Sequence, residues 1–202
     1  MPAAEPSDAL VVVLHGLGDS MEGFFWLPGT LGLPGVNYLL VNAPNPYVIG
    51  YAWYDIENPA PGVLQGRELI GKLFDELERQ GWESRNVLLF GFSQGCVMSI
   101  DFALRHPEPL AGIVGISGYA LLDEYTESEI QPQAREQAWL ITHGHHDPLL
   151  PLYRTRNMMD QLRQWGIPIE WHDYPKEHTI DMEEELPLLR NWIGGRFGSQ
   201  QG

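Results

Sequence analysis

The sequence contains one cysteine, two lysines and no long apolar run, and these scarcities exclude several classes of protein. Because Cys96 is the only cysteine, the chain cannot form an internal disulfide or a cysteine-rich zinc site. The longest apolar run, residues 9–14, is far short of the roughly 20 residues that a membrane-spanning helix needs. Residues 1–8 have no basic residue and no long apolar stretch, unlike a secretory signal. We therefore expect a cytoplasmic protein without stable membrane anchoring.

Positive charge is also scarce, because 12 Lys and Arg residues stand against 27 Asp and Glu residues, for a formal net charge of -15. Such a surface repels phosphate backbones, so we expect no nucleic-acid partner. A length of 202 residues with 44% hydrophobic residues fits one domain with a full core better than two. We expect a single domain over residues 1–202, with a core from about 9 to 193 and a frayed tail over 194–202. The oligomeric state, a homodimer included, stays open.

Short apolar runs alternate along the chain with stretches whose apolar residues recur at helical spacing. This alternation predicts an α/β fold, with a mostly parallel sheet and helices on both faces. Ligands of such sheets bind beyond the carboxyl ends of the strands, so the residues that follow each strand are the candidates for a site. Strands are predicted at 9–14, 38–42, 87–90, 112–116, 139–142 and 168–174, and helices at 62–80, 94–105, 151–165 and 182–192.

The strongest motif is Gly-Phe-Ser-Gln-Gly at residues 91–95, between the strand predicted at 87–90 and the helix predicted from residue 94. The pattern Gly-x-Ser-x-Gly in this context is typical of a nucleophile elbow, where a sharp turn raises the serine oxygen above the sheet. Glycines flank the serine because side chains there would collide with the strand and the helix. The motif predicts Ser93 as a nucleophile.

Two later loops supply the groups that a serine nucleophile needs. Asp147 follows the strand predicted at 139–142, and His178 follows the last predicted strand. Histidine, with a reference pKa of about 6.5, suits the role of general base, and a carboxylate fixes its tautomer. The chain order Ser93, Asp147, His178 is that of α/β-hydrolases and differs from the orders of the two other well-known types of serine protease.

A glycine-rich loop, His-Gly-Leu-Gly-Asp at residues 15–19, follows the first predicted strand. Acyl transfer builds negative charge on a carbonyl oxygen, and two backbone N–H groups must be in place to stabilise it. One is expected from Gln94, the residue after the nucleophile, and the other from Leu17 in this loop.

Taken together, these segments resemble the phospholipase/carboxylesterase family, which includes bacterial carboxylesterases and acyl-protein thioesterases. The resemblance rests on residues 15–19, on Ala-Trp-Tyr-Asp at 52–55, on 91–95, on 143–147 and on His178, and it covers nearly the whole chain. It implies a compact single-domain α/β-hydrolase that hydrolyses small-molecule esters or thioesters without a cofactor or a metal. It also implies the same roles for Ser93, Asp147, His178, Leu17 and Gln94.

The chain departs from the family pattern at two places near these segments. Cys96 stands where a second glycine usually follows the elbow, and Lys176 and Glu177 replace a glycine-rich stretch before His178. The first departure bears on packing around the elbow. The second places a charged pair of residues directly beside the expected base.

Other interpretations of the same residues remain. His143, His145 and Asp147 match the start of a metal-binding His-x-His-x-Asp-His pattern, but Pro148 stands where the next histidine is required. Cys96 lies one turn into a helix and is interpreted as a buried small residue rather than a nucleophile. A binding module that kept the fold and lost catalysis is disfavoured, because no member of the triad is missing.

Aromatic residues cluster in two loops that follow strands, and they are candidates for an apolar acyl pocket. We expect Phe24, Trp26, Tyr47 and Trp53 to line it. The sequence therefore predicts a serine carboxylesterase for short- to medium-chain esters, with an acyl-thioesterase or a lysophospholipase as the alternative.

Overall fold

The structure, a computed structural model, describes residues 1–122 and 127–198. Its elements alternate as the sequence predicts. The strands are β1 (Leu10–Leu14), β2 (Asn37–Val41), β3 (Asn45–Tyr47), β4 (Gly50–Ala52), β5 (Val87–Phe92), β6 (Gly112–Ile116), β7 (Trp139–Gly144) and β8 (Ile169–Tyr174). The helices are α1 (Leu27–Leu31), α2 (Pro59–Arg79), α3 (Gln94–Arg105), α4 (Leu152–Gln164) and α5 (Glu185–Gly198).

Six of the strands form one parallel sheet in the order β2-β1-β5-β6-β7-β8. The central strands β1, β5 and β6 are buried except for Phe92 at the end of β5, which explains why they are continuous apolar runs in the sequence. The prediction of a single-domain α/β fold with a parallel sheet is confirmed. The loops after β1, β5, β7 and β8 therefore meet at one edge of the sheet.

The core occupies both faces of the sheet, because alternate residues of each strand point to opposite sides. Val12 and Leu14 of β1 belong to one buried apolar cluster, whereas Val11 and Val13 belong to the other. Among the described residues, there is no helix with both the length and the apolar character that a bilayer crossing requires.

Three features differ from the sequence prediction, and the first is the short helix α1, which was not predicted. Helix α5 continues to Gly198, beyond the predicted end of the core at residue 193, because Phe197 packs on the apolar cluster that also holds Ile193. Of the predicted frayed tail, residues 199–202 lie outside the described residues. The antiparallel hairpin of β3 and β4 was not predicted, since two three-residue strands are too short to show a period in the sequence.

Candidate active site

The turn between β5 and α3 holds Ser93 in a backbone conformation that side chains rarely adopt, with φ 54° and ψ -116°. The glycines on either side are sterically required. A Cβ at Gly91 would overlap the carbonyl oxygen of Gly95, and a Cβ at Gly95 would overlap that of Leu14. The N–H of Ser93 donates to the carbonyl of Ile116 at 2.9 Å, which ties the turn to β6. The strain is thus held by neighbouring strands, as expected at a functional turn.

The structure brings Ser93, His178 and Asp147 into one hydrogen-bonded chain. The Nε2 atom of His178 lies 2.9 Å from Ser93 Oγ, and its Nδ1 atom lies 2.7 Å from Asp147 Oδ2. A carboxylate only accepts hydrogen bonds, so Nδ1 carries the proton and Nε2 is free to accept one from the serine hydroxyl. This is the geometry that general-base activation of a serine requires.

The carboxylate of Asp147 accepts three hydrogen bonds. Its Oδ1 atom accepts the backbone N–H groups of Leu149 and Leu150, each at 2.9 Å, while Oδ2 faces His178. Burial acts to raise the pKa of Asp147, but the hydrogen bonds from Leu150 and His178 outweigh it, so the pKa lies below its ordinary value. The group is therefore ionised at neutral pH, as an orienting carboxylate must be.

The two histidines that suggested a metal pattern with Asp147 bind different partners. His143 is fully buried and donates from Nε2 to the carbonyl of Leu150 at 2.8 Å, and burial lowers the pKa of His143. His145 instead lies 2.6 Å from the carboxylate of Asp173 through its Nε2 atom. In the part of the chain that the structure describes, no three His, Cys, Asp or Glu side chains are grouped so as to hold a metal ion.

The loop after β1 passes directly against the nucleophile. A Cβ at Gly16 would lie only 3.2 Å from Ser93 Cβ, so any side chain there would require a shift of a few tenths of an ångström beside the nucleophile. Leu17 and Gln94 both line the cavity in front of Ser93. The N–H of Gln94 belongs to the first turn of α3, where the N–H groups of a helix have no intrahelical acceptor. Both predicted oxyanion donors thus lie beside the nucleophile.

Buried hydrogen bonds fix this loop. His15 Nε2 accepts the N–H of Ala43 at 3.0 Å, so its Nδ1 carries the proton and donates to the carbonyl of Gly16 at 2.6 Å. The indole N–H of Trp53 donates to the carbonyl of His15 at 2.9 Å. The side chain of Gln94 bridges the same region, accepting the N–H of Trp53 and donating to the carbonyl of Tyr54, both at 2.9 Å.

The four aromatic residues predicted for the acyl pocket are placed differently by the structure. Phe24 is buried against Phe90, Trp26 packs on the same cluster, and Trp53 is 1% exposed and supports the loop described above. None of these three lines the cavity at Ser93, because their large apolar surfaces are used in the core. Tyr47 is 45% exposed and lines a neighbouring cavity that shares Leu17 with the first.

The cavity at Ser93 has a volume of about 590 Å³ and a mainly apolar lining. None of the four residues expected for the acyl pocket lines this cavity. Besides Leu17, its apolar lining comes from four separate loops and strand ends: Tyr54, Ile56, Phe92, Tyr119, Leu149 and Leu150. Ile56 and Leu149 are more than half exposed, whereas the hydroxyls of Tyr54 and Tyr119 meet at 3.0 Å. The sequence contains a signal for two of these lining residues, since Leu149 and Leu150 directly follow Asp147 and Pro148 in the loop that carries the triad carboxylate.

Cys96 lies behind the elbow rather than in the cavity. Its side chain is fully buried, and burial raises the pKa of the thiol to about 12. A Cβ at Gly115 or Gly118 would collide with its Sγ atom, so the sulfur fills the space between α3 and β6. A buried thiol that keeps its proton is a poor nucleophile, in line with the interpretation of Cys96 as a packing residue.

Comparison with known proteins places this geometry in a family. The model of the phospholipase/carboxylesterase family matches residues 1–193. Acyl-protein thioesterase 1 of Schizosaccharomyces pombe is 34% identical over 157 residues, covering 71% of this chain and 70% of that protein.

Solved structures agree in fold. Esterase PE8 superposes with a TM-score of 0.79 at 28% identity, covering 96% of both chains. Acyl-protein thioesterase 2 of Zea mays superposes with a TM-score of 0.83 at 22% identity, covering 98% of this chain and 97% of that one. The chain therefore belongs to the phospholipase/carboxylesterase family, a group of α/β-fold serine hydrolases that act on esters and thioesters.

Proposed function

We propose that this chain is a serine carboxylesterase that hydrolyses short- to medium-chain carboxylic esters through an acyl-enzyme intermediate. The observation that carries the proposal is the hydrogen-bonded chain from Ser93 through His178 to Asp147, which opens onto an apolar cavity. Family membership supports the reaction type, and a cavity of about 590 Å³ is within the range of small-ligand sites.

In the proposed reaction, Ser93 Oγ attacks the ester carbonyl while His178 Nε2 takes the hydroxyl proton. The negative charge that develops on the carbonyl oxygen is stabilised by the N–H groups of Leu17 and Gln94. His178 then returns its proton to the departing alcohol, which leaves Ser93 acylated. Water, deprotonated by His178, attacks the acyl-enzyme, and the acid leaves as Ser93 regains its proton. Asp147 stabilises the imidazolium form of His178 in both steps.

A fluorophosphonate probe tests this proposal, because it reacts covalently with an activated serine. We expect the intact mass of the wild-type protein to rise by one adduct and that of Ser93→Ala not to change. Ser84→Ala is the matched control, since Ser84 Oγ also lies 3.1 Å from a histidine, His106 Nε2, away from the cavity. This control should be labelled like the wild type. Absence of an adduct on folded wild-type protein would contradict the proposal.

A second candidate function is hydrolysis of acyl thioesters, which the 34% identity to an acyl-protein thioesterase supports. The same triad can serve both bonds, since only the leaving group differs. Matched oxygen esters and thioesters with one acyl chain, measured over chain lengths from acetyl to palmitoyl, separate the two. We expect hydrolysis of both bond types, with kcat/KM highest at short to medium chains. A strong preference for palmitoyl thioesters would instead assign the chain to the thioesterase function.

A further inference from the structure

Lys176, one of only two lysines in the chain, forms a buried ion pair. Its Nζ atom lies 2.6 Å from both carboxylate oxygens of Glu185, and the two side chains are 2% and 0% exposed. Burial lowers the pKa of Lys176, and the carboxylate of Glu185 opposes that shift. Isolated buried charges are costly, and the attraction between two of them seldom adds net stability, so a purely stabilising role explains this pair poorly.

The pair joins the two ends of the loop that carries His178. Lys176 lies two residues before the histidine, and Glu185 is the first residue of α5. Within the loop, Glu185 Oε2 also accepts the N–H of Asp181 at 2.8 Å. Asp181 Oδ1 in turn accepts the N–H groups of Glu183 at 3.0 Å and Glu184 at 2.7 Å, in the turn just before α5. The loop is therefore closed at its base by an ion pair and by a hydrogen-bonded turn.

The backbone of Lys176 also contacts the loop that carries Asp147. Its carbonyl accepts the N–H of His146 at 3.1 Å. A Cβ at Gly144 would overlap the same carbonyl, so the two loops pack backbone against backbone at the end of β7. Any movement of Lys176 would change the position of Asp147 relative to the histidine.

From these contacts we propose that Lys176 and Glu185 are positioning residues: their ion pair holds His178 in line with both Asp147 and Ser93. Neither side chain lines the cavity, so neither is expected to touch the substrate. The inference rests on the proposed function.

Two variants test the inference. Lys176→Met leaves Glu185 buried without a cation and is expected to lower the melting temperature. Lys176→Met combined with Glu185→Gln removes both charges, while the amide oxygen can still accept the N–H of Asp181, so it should fold. For this double variant we expect kcat to fall about 10- to 100-fold with KM within about 2-fold, because a displaced catalytic group affects the chemical step. The conservative variant Lys176→Arg keeps the positive charge, so its kcat should lie between that of the double variant and that of the wild type.

The pH profile separates positioning from a simple charge effect. If Lys176 acted only through its positive charge, its removal would shift the acidic limb of the plot of kcat/KM against pH and leave the alkaline plateau unchanged. Loss of positioning lowers the plateau itself, because His178 is then misplaced even when it is neutral. A plateau equal to that of the wild type in the double variant would overturn the inference.

Arg67→Met is the control for stability, since it weakens another ion pair, at 2.6 Å, between the partly exposed Arg67 of α2 and the buried Asp101 of α3 rather than between residues of the triad loops. We expect a lower melting temperature with an unchanged kcat.

The rate of fluorophosphonate labelling separates the proposed function from the positioning role of Lys176 and Glu185. No labelling of wild-type Ser93 would contradict the proposed function. Equal labelling rates in the wild type and the double variant would contradict the positioning role alone.

Discussion

Replacing Ser93 by alanine is expected to lower kcat by about 10⁶-fold, and replacing His178 by alanine should have a similar effect. The two groups act as one unit, because the 2.9 Å hydrogen bond between them is the path of the proton. The variant that carries both Ser93→Ala and His178→Ala should therefore be no slower than either single variant. Residual catalysis from the oxyanion donors and from substrate binding is expected at about 10³- to 10⁴-fold over water in all three. Single-turnover kinetics on a chromogenic ester would measure these losses.

The partly buried pair formed by Ser84 and His106 provides the matched controls for this experiment. Ser84→Ala and His106→Ala remove the same atoms from a hydrogen-bonded serine and histidine that do not line the cavity at Ser93. Both controls should keep the kcat of the wild type. Additive losses in the variant that lacks both Ser93 and His178, or a His178→Ala protein with more than a tenth of wild-type activity, would argue against a shared proton path.

Asp147→Asn is expected to lower kcat by about 10⁴-fold without unfolding the protein. The N–H groups of Leu149 and Leu150 donate to Oδ1 of Asp147, and the side-chain oxygen of an asparagine in that position would accept the same two hydrogen bonds. Its NH2 group would then face His178 Nδ1, which must become an acceptor. The proton would move to Nε2 and point at Ser93, so His178 could no longer accept the serine proton.

The pH profile adds a second measurement to this prediction. The pKa of Asp147 is held below its ordinary value, so the carboxylate stays ionised from about pH 5 upward, and its own titration should not appear in the activity profile. Asp173→Asn is the matched control, because Asp173 also binds a histidine, His145, at 2.6 Å. It should leave kcat near the wild-type value. A comparable loss of kcat in Asp173→Asn would attribute the effect to a disturbance of the loop that carries His145 and Asp147 rather than to the Asp147 carboxylate.

The sequence indicated the candidate chemistry well because each reacting group follows a strand within a short motif. Ser93 is flanked by glycines that its turn requires, and Asp147 and His178 follow buried strands whose carboxyl ends must meet at one edge of a parallel sheet. Local sterics and the alternation of strands and helices suffice for these inferences. The same alternation predicted the parallel sheet itself.

The acyl pocket could not be predicted in this way. Phe24 and Trp53 have the size and apolarity of pocket residues, yet the fold places both in the core, and Leu149 and Ile56 are exposed at the cavity instead. Burial and cavity lining favour the same apolar residue types. Composition and position after a strand therefore cannot separate them.

By itself, then, the sequence determined the fold class, the order of the motifs and the identity of the candidate reacting groups, because these depend on backbone sterics and short-range patterns. Only the tertiary structure decided which apolar side chains face the cavity and how the loops are held around Ser93. Lys176 and Glu185 illustrate the difference, since they lie nine positions apart and meet in a buried ion pair. Such contacts depend on how a loop closes in space, and no periodicity or motif in the sequence records that closure.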